Sequence, residues 1–254
     1  MAMKPGLVSI TFRGLTPQQI INGAVDAGVE GIEWGGDVHV PHGELATARE
    51  VAERTRDAGL AVSSYGSYYR FNESDVQFSH VLATAVALGA PVIRVWAGRQ
   101  GSADADAAEW SRIIEASRRV GDEAADAGIR VGFEFHGGTL TDTNESAVRL
   151  LKAIDHPNVG TFWQPPNGKP VEYALEGLDA VLPWLQYLHC FHWRGPQRER
   201  RPLSEGADRW MEYLDHASRA IGGPEPRWVL LEFVQDDSLE SLSRDAAELR
   251  RLLG

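Results

Sequence analysis

A single cysteine, Cys190, occurs in the 254 residues, so no disulfide can close within the chain, and its place in an apolar run reads as buried packing. No apolar stretch approaches the length of a bilayer span, which argues against a membrane protein. The opening segment "MAMKPGLVSITF" lacks an apolar signal core followed by a small-residue cleavage site, so a cytoplasmic location is expected. Positive charge is scarce: 25 Lys and Arg face 36 Asp and Glu, a net charge of −11, which opposes generic nucleic-acid binding. The first strand candidate, "VSITFRGLTP", carries no dinucleotide-binding glycine fingerprint. A G-x-S-x-G elbow, the mark of many serine hydrolases, is also missing. No Pro/Gly/Ser-rich linker divides the chain, and residues 1–254 are expected to form one domain.

What is present is a repeating phrase. "DAGVEGIEW" from Asp26, "DAGLAVSSYG" from Asp57 and "DAGIRVGFEF" from Asp126 each end a helical pattern at a glycine suited to a left-handed cap and continue into an apolar strand. "ALGAPVIRVWAG" from Ala87 is a fourth case, and Leu7–Phe12, Val159–Gln164, Leu188–Trp193 and Trp228–Val234 complete eight strand candidates. The intervening pattern from Thr16 to Ala27 has a capping threonine, Pro17 in the first turn and an apolar stripe of Ile20, Ile21, Ala24 and Val25. Strands alternating with helices demand crossovers and a parallel sheet. Eight such units predict an α/β fold of the (β/α)8 TIM barrel type, with an open doubly wound sheet as the alternative.

In such a barrel the active site lies at the carboxyl ends of the strands. Alternation along "GFEFHGG" sends Val131, Phe133 and Phe135 toward the helices and Glu134 and His136 into the barrel. Gln164, His192 and Glu232 close three further strands in the same way. Two carboxylates, an imidazole and an amide oxygen suit a divalent ion such as Mn²⁺, Mg²⁺, Co²⁺ or Zn²⁺. His189, out of phase with His192, is expected to face the helical layer. Glu33 is the inward group of its strand, with Trp34 opposite, and Arg94 and Trp96 share a parity on the fourth strand. Glu33, Trp96, His136 and Arg194 are therefore the candidate substrate contacts, and Trp34, Tyr65, Tyr68 and Trp163 are further aromatic candidates near strand ends. The arginines of "RGPQRERRPLSEGADRW" read chiefly as solvated charges or as contacts of a homo-oligomer, and His39 and His42 as loop residues.

On "GIEWGGDVHVPHG", "GFEFHGGTLTDT", "HCFHWRG" and "LLEF" the chain resembles the sugar phosphate isomerase/epimerase family, with its xylose isomerase-like TIM barrel, over nearly its whole length. The resemblance implies a divalent metal held by Glu134, Gln164, His192 and Glu232. It also implies that Glu134 and Glu232 move protons on opposite faces of a bound sugar. Many relatives place an aspartate where Gln164 stands, and a neutral amide grips a hard cation less firmly. The expected activity is isomerisation or epimerisation of a small sugar or polyol-derived ketone through an enediolate. The alternatives are a metal-dependent dehydratase of an inosose or keto-sugar, or a sugar-binding barrel without activity. An AP endonuclease would need more metal-binding histidines and a basic track.

Overall fold

The computed structural model describes residues 3–71, 77–195 and 197–254. In chain order the strands are β1 (Met3–Val8), β2 (Gly31–Gly35), β3 (Ala61–Gly66), β4 (Val92–Val95), β5 (Arg130–Glu134), β6 (Val159–Trp163), β7 (Leu185–Cys190), β8 (Trp193–Arg194), β9 (Glu199–Arg200) and β10 (Arg227–Leu231). The helices are α1 (Pro17–Ala27), α2 (Leu45–Asp57), α3 (Phe78–Leu88), α4 (Ala107–Asp126), α5 (Asn144–Ile154), α6 (Val171–Val181), α7 (Ala207–Ser218) and α8 (Leu239–Leu253).

The repeating phrase acts as expected at the helix ends. Gly28, Gly59, Gly89 and Gly128 all take positive φ, between 69° and 79°, where a side chain would be strained. At the start of α1, Thr16 and Gln19 form a reciprocal capping box ahead of Pro17. Each helix returns the chain so that the next strand pairs in parallel, and the closed order is β1-β10-β7-β6-β5-β4-β3-β2. Closure through the β1–β10 ladder, from Met3 opposite Arg227 to Leu7 opposite Leu231, rules out the open-sheet alternative. The short strands β8 and β9 form a separate antiparallel hairpin above the rim. No described helix is long and apolar enough to cross a membrane.

Strand alternation sorts the apolar residues into two layers. Val131, Phe133 and Phe135 join the large layer between sheet and helices. Val8, Ile10, Val92, Phe162, Tyr187, Trp228 and Leu230 fill the barrel itself. Trp228 fits at the lower end because β2 offers Gly31 there; a Cβ on Gly31 would stand 2.7 Å from the indole. With its floor plugged, the barrel leaves its polar residues at the opposite rim.

The strand boundaries differ from the sequence expectation most at the first and seventh strands, while the sixth ends one residue earlier than expected and the last runs Arg227–Leu231. The first strand runs Met3–Val8 rather than Leu7–Phe12, and Ser9–Phe12 is a buried 3-10 turn. The seventh runs Leu185–Cys190 rather than Leu188–Trp193, a shift that decides which histidine faces inward.

Candidate active site

The rim is organised around one guanidinium. Arg94 on β4 is buried and bridges two carboxylates: its Nε lies 2.7 Å from Glu33 Oε1 on β2, and its Nη1 contacts Glu134 Oε2 on β5. Gly66 makes room for the bridge, since a Cβ there would lie 2.6 Å from Arg94 and 2.8 Å from Glu33. Ser64 donates a further bond to Glu33 at 2.7 Å. Glu33 thus points inward as expected, but it is 0% exposed beneath Arg94 and does not line the open cavity. Among the described residues its hydrogen-bond partners are Arg94 and Ser64, and it anchors the guanidinium.

Glu134 is held on two sides. Trp96 donates its indole N–H to Glu134 Oε2 at 2.6 Å, beside the Arg94 contact. Burial pushes the Glu134 carboxyl up, but the charges of Arg94 and His189 outweigh it and hold the group well below its ordinary value. Its other oxygen, Oε1, faces Gln164 Nε2 at 3.4 Å and His189 Nδ1 at 3.7 Å. The Gln164 amide nitrogen also donates to the Phe135 carbonyl, and its amide oxygen is buried without a partner.

His189, expected in the helical layer, instead occupies the barrel axis. With β7 ending at Cys190, Leu188 and Cys190 join the helix-facing layer while Tyr187 and His189 turn inward. The imidazole is fully buried, 3.5 Å from Glu232 and 3.6 Å from Glu33. These separations are long for hydrogen bonds, and neither ring nitrogen has a hydrogen-bond partner. Burial opposes its charge, but Glu232, Glu134 and Glu33 together raise the ring to about 10. Glu232, at the end of β10, makes no hydrogen bond through its carboxyl among the described residues. Burial and the nearby Glu134 raise it to about 7 against the opposing pull of His189 and Arg94.

Glu134, His189 and Glu232 offer ligand atoms that all lie within 4.8 Å of one another. The sequence expectation placed His192 in this group; the structure does not bring it there. His192 follows the strand end and sits against Gly206, in a different pocket. Burial and the cations of Arg209 and Arg194 lower its imidazole.

Above the carboxylates opens a cavity of about 180 Å³. Trp96 forms one wall, stacked on His136 with ring centroids 3.9 Å apart and covered on its other face by Arg70 at 3.7 Å. His136 lines the cavity as expected, with Nδ1 2.7 Å from its neighbour's carbonyl, Gly137 O. Tyr68, at φ 57°, lies against Arg94 at 4.9 Å and completes the wall. Trp34, Tyr65 and Trp163 pack in the helical layer instead. Arg194 is exposed, 3.4 Å from Glu205, and is not among the lining residues; Arg13, Asn167 and Arg198 line the cavity in its stead. No periodic signal marks these three, because they lie on loops.

The residues present fit a divalent ion. Three buried carboxylates surround the buried guanidinium of Arg94, and a buried amide oxygen and both His189 nitrogens lack partners. The model of the xylose isomerase-like TIM barrel matches residues 21–252. The chain belongs to that family.

Relatives within and around the xylose isomerase-like barrels differ in chemistry. The 3-dehydroshikimate dehydratase of Bacillus anthracis is 28% identical over 205 residues, which cover 74% of this chain and 71% of the relative. A solved probable 3-DHS dehydratase from the same organism, involved in petrobactin synthesis, has a TM-score of 0.80 at 23% identity and covers 98% of this chain and 99% of its own. A D-psicose 3-epimerase has a TM-score of 0.71 at 16% identity, with 98% of both chains covered. At such identities the two structures attest the fold.

Proposed function

We propose that this chain is a metal-dependent lyase. It removes the proton beside the carbonyl of a small hydroxylated ring ketone and expels a β-hydroxyl as water. The observation that carries this reading is the unequal state of the two rim carboxyls. Glu134 is held as an anion by Arg94 and Trp96, whereas Glu232 has no hydrogen-bond partner for its carboxyl among the described residues. A carboxylate oxygen left free of hydrogen bonds is able to take a proton and return it.

Glu134, His189 and Glu232 would hold the ion, with the Gln164 amide oxygen adjoining. A bound divalent ion polarises a carbonyl and stabilises negative charge on its oxygen. Glu232 breaks the C–H bond by accepting its proton; the electron pair forms the new C=C bond as the neighbouring C–O bond breaks. The departing hydroxyl takes a proton from Glu232 and leaves as water, so the carboxylate is regenerated. Trp96, Tyr68 and His136 wall the ring and limit water at the reacting carbon.

Epimerisation with a proton donor on each face would require Glu134 to carry a proton, which Arg94 and Trp96 oppose. Single-base isomerisation shares the first step and is the second reading, supported by the same Glu232. The 28% identical relative makes 3-dehydroshikimate the first substrate to try. Incubated with Mn²⁺ in deuterated water, the chain is expected to convert it to an aromatic dihydroxy acid, and Glu232→Gln to lose about 10²–10⁴ of that rate. Deuterium entering ketohexoses without water loss would favour isomerisation. Full activity in Glu232→Gln would refute the role of that carboxyl.

A further inference from the structure

The residue displaced from the expected metal group lies in a pocket of its own. Between the end of β6, the end of β7 and α7 is a cavity of about 60 Å³, lined among others by Asn167, Lys169, His192, Trp193 and Arg209. Its volume is that of about two water molecules in the liquid, room for one carboxylate or phosphate group rather than a whole sugar.

Two buried nitrogens there lack partners. His192 is 8% exposed and its Nε2 is buried without a partner. The Trp193 indole Nε1 is also buried and unpartnered. An indole nitrogen can only donate, so it calls for an acceptor that the described residues do not supply. Lys169 and Arg209 add positive charge, and neither forms an ion pair among the described residues; Lys169 lies over the Tyr173 ring at 5.2 Å. The nearby acid, Glu205, is taken up by Arg201 at 2.9 Å and Arg194 at 3.4 Å. A buried indole donor and an unpartnered imidazole nitrogen beside two cations, with the local carboxylate engaged elsewhere, form a site for an oxyanion.

Asn167 and Trp193 line both this pocket and the catalytic cavity. We propose that the side pocket binds the acid group, carboxylate or phosphate, of the substrate whose ketone lies over Glu134 and Glu232. The substrate is then an anionic hydroxy-ketone rather than a neutral sugar. This deepens the lyase reading and rests on it for the identity of the ligand, but the site itself can be tested without turnover.

The test is calorimetric titration of the full chain with inorganic phosphate, alongside the Lys169→Ala/Arg209→Ala double variant and His192→Phe. Saturable binding by the wild type, weakened about tenfold or more in the double variant and also in His192→Phe, is expected from the loss of charge-assisted bonds. Both lysine and arginine are exposed, and circular dichroism checks that the variants remain folded. Phosphate should also be displaced by 3-dehydroshikimate, placing the substrate's acid group in the pocket. No saturable binding to the wild type, or equal affinity in the double variant, overturns the site. Binding that 3-dehydroshikimate does not displace overturns its assignment to the substrate. If no ketone is turned over yet phosphate binds as expected, the lyase reading fails and the oxyanion site stands.

Discussion

His189 Nδ1 stands 3.5 Å from Glu232 Oε2 and 3.7 Å from Glu134 Oε1 at the centre of the barrel mouth, with Glu33 Oε2 3.6 Å from the other ring nitrogen. Without a metal, Arg94 is the one permanently charged buried cation against the three carboxylates among the described residues, and the imbalance is met by protons: His189 is raised to about 10 and Glu232 to about 7. These protons occupy the electrostatic place of a divalent ion.

Metal loading should therefore release protons. Near pH 7, binding of Mn²⁺ is expected to expel about one to two protons per chain, because ligands must be deprotonated. Apparent affinity should rise with pH from about 6 and level off above the His189 value of about 10. Calorimetry in buffers of different ionisation enthalpy counts the protons. Zero release at neutral pH would show that these groups do not bind the ion.

Trp96 both stacks on His136 and donates to Glu134. Trp96→Phe keeps an aromatic face and removes the donor. Loss of a bond that orients a metal-binding carboxylate is expected to weaken metal affinity about 10–100-fold. A metal titration paired with a thermal melt separates this effect from a general loss of stability, which should be minor.

Acid stability should depend on Glu33. Burial pushes its carboxyl up, but the Arg94 charge, His189 and the Ser64 hydroxyl prevail and lower it from 4.5 to about 2. A carboxyl depressed in the folded state stabilises fully above its ordinary value and loses that contribution as pH falls through the folded value. The metal-free protein is therefore expected to lose stability between pH 4.5 and about 2. Denaturant melts across this range should show a shallower decline in Glu33→Gln, which begins from a lower stability because Arg94 loses a partner.

The parts of the site that could be read from sequence were those whose strand boundaries could be read. β5 ends at Glu134, so alternation placed Glu134 inward and its aromatic neighbours outward. The inward Glu33, the shared face of Arg94 and Trp96, and the cavity positions of Trp96 and His136 followed by the same rule. On β7 the true strand starts three residues earlier than expected. Since side chains alternate with period two, an odd shift reverses the faces, exchanging His189 for His192. Leu188 and Cys190, two apolar residues flanking His189, were the available sign that this histidine points away from the helices. Asn167 and Arg198 could not be placed by periodicity, because loop conformation, not strand alternation, brings them to the cavity.

The exchange of histidines also supplies the most direct test. Manganese content after dialysis, measured for His189→Ala and His192→Ala beside the wild type, separates the centre built on Glu134, His189 and Glu232 from one built on His192. The expected result is bound manganese in the wild type and in His192→Ala, and its loss in His189→Ala with the fold intact by circular dichroism. Retention in His189→Ala together with loss in His192→Ala would contradict the metal centre described.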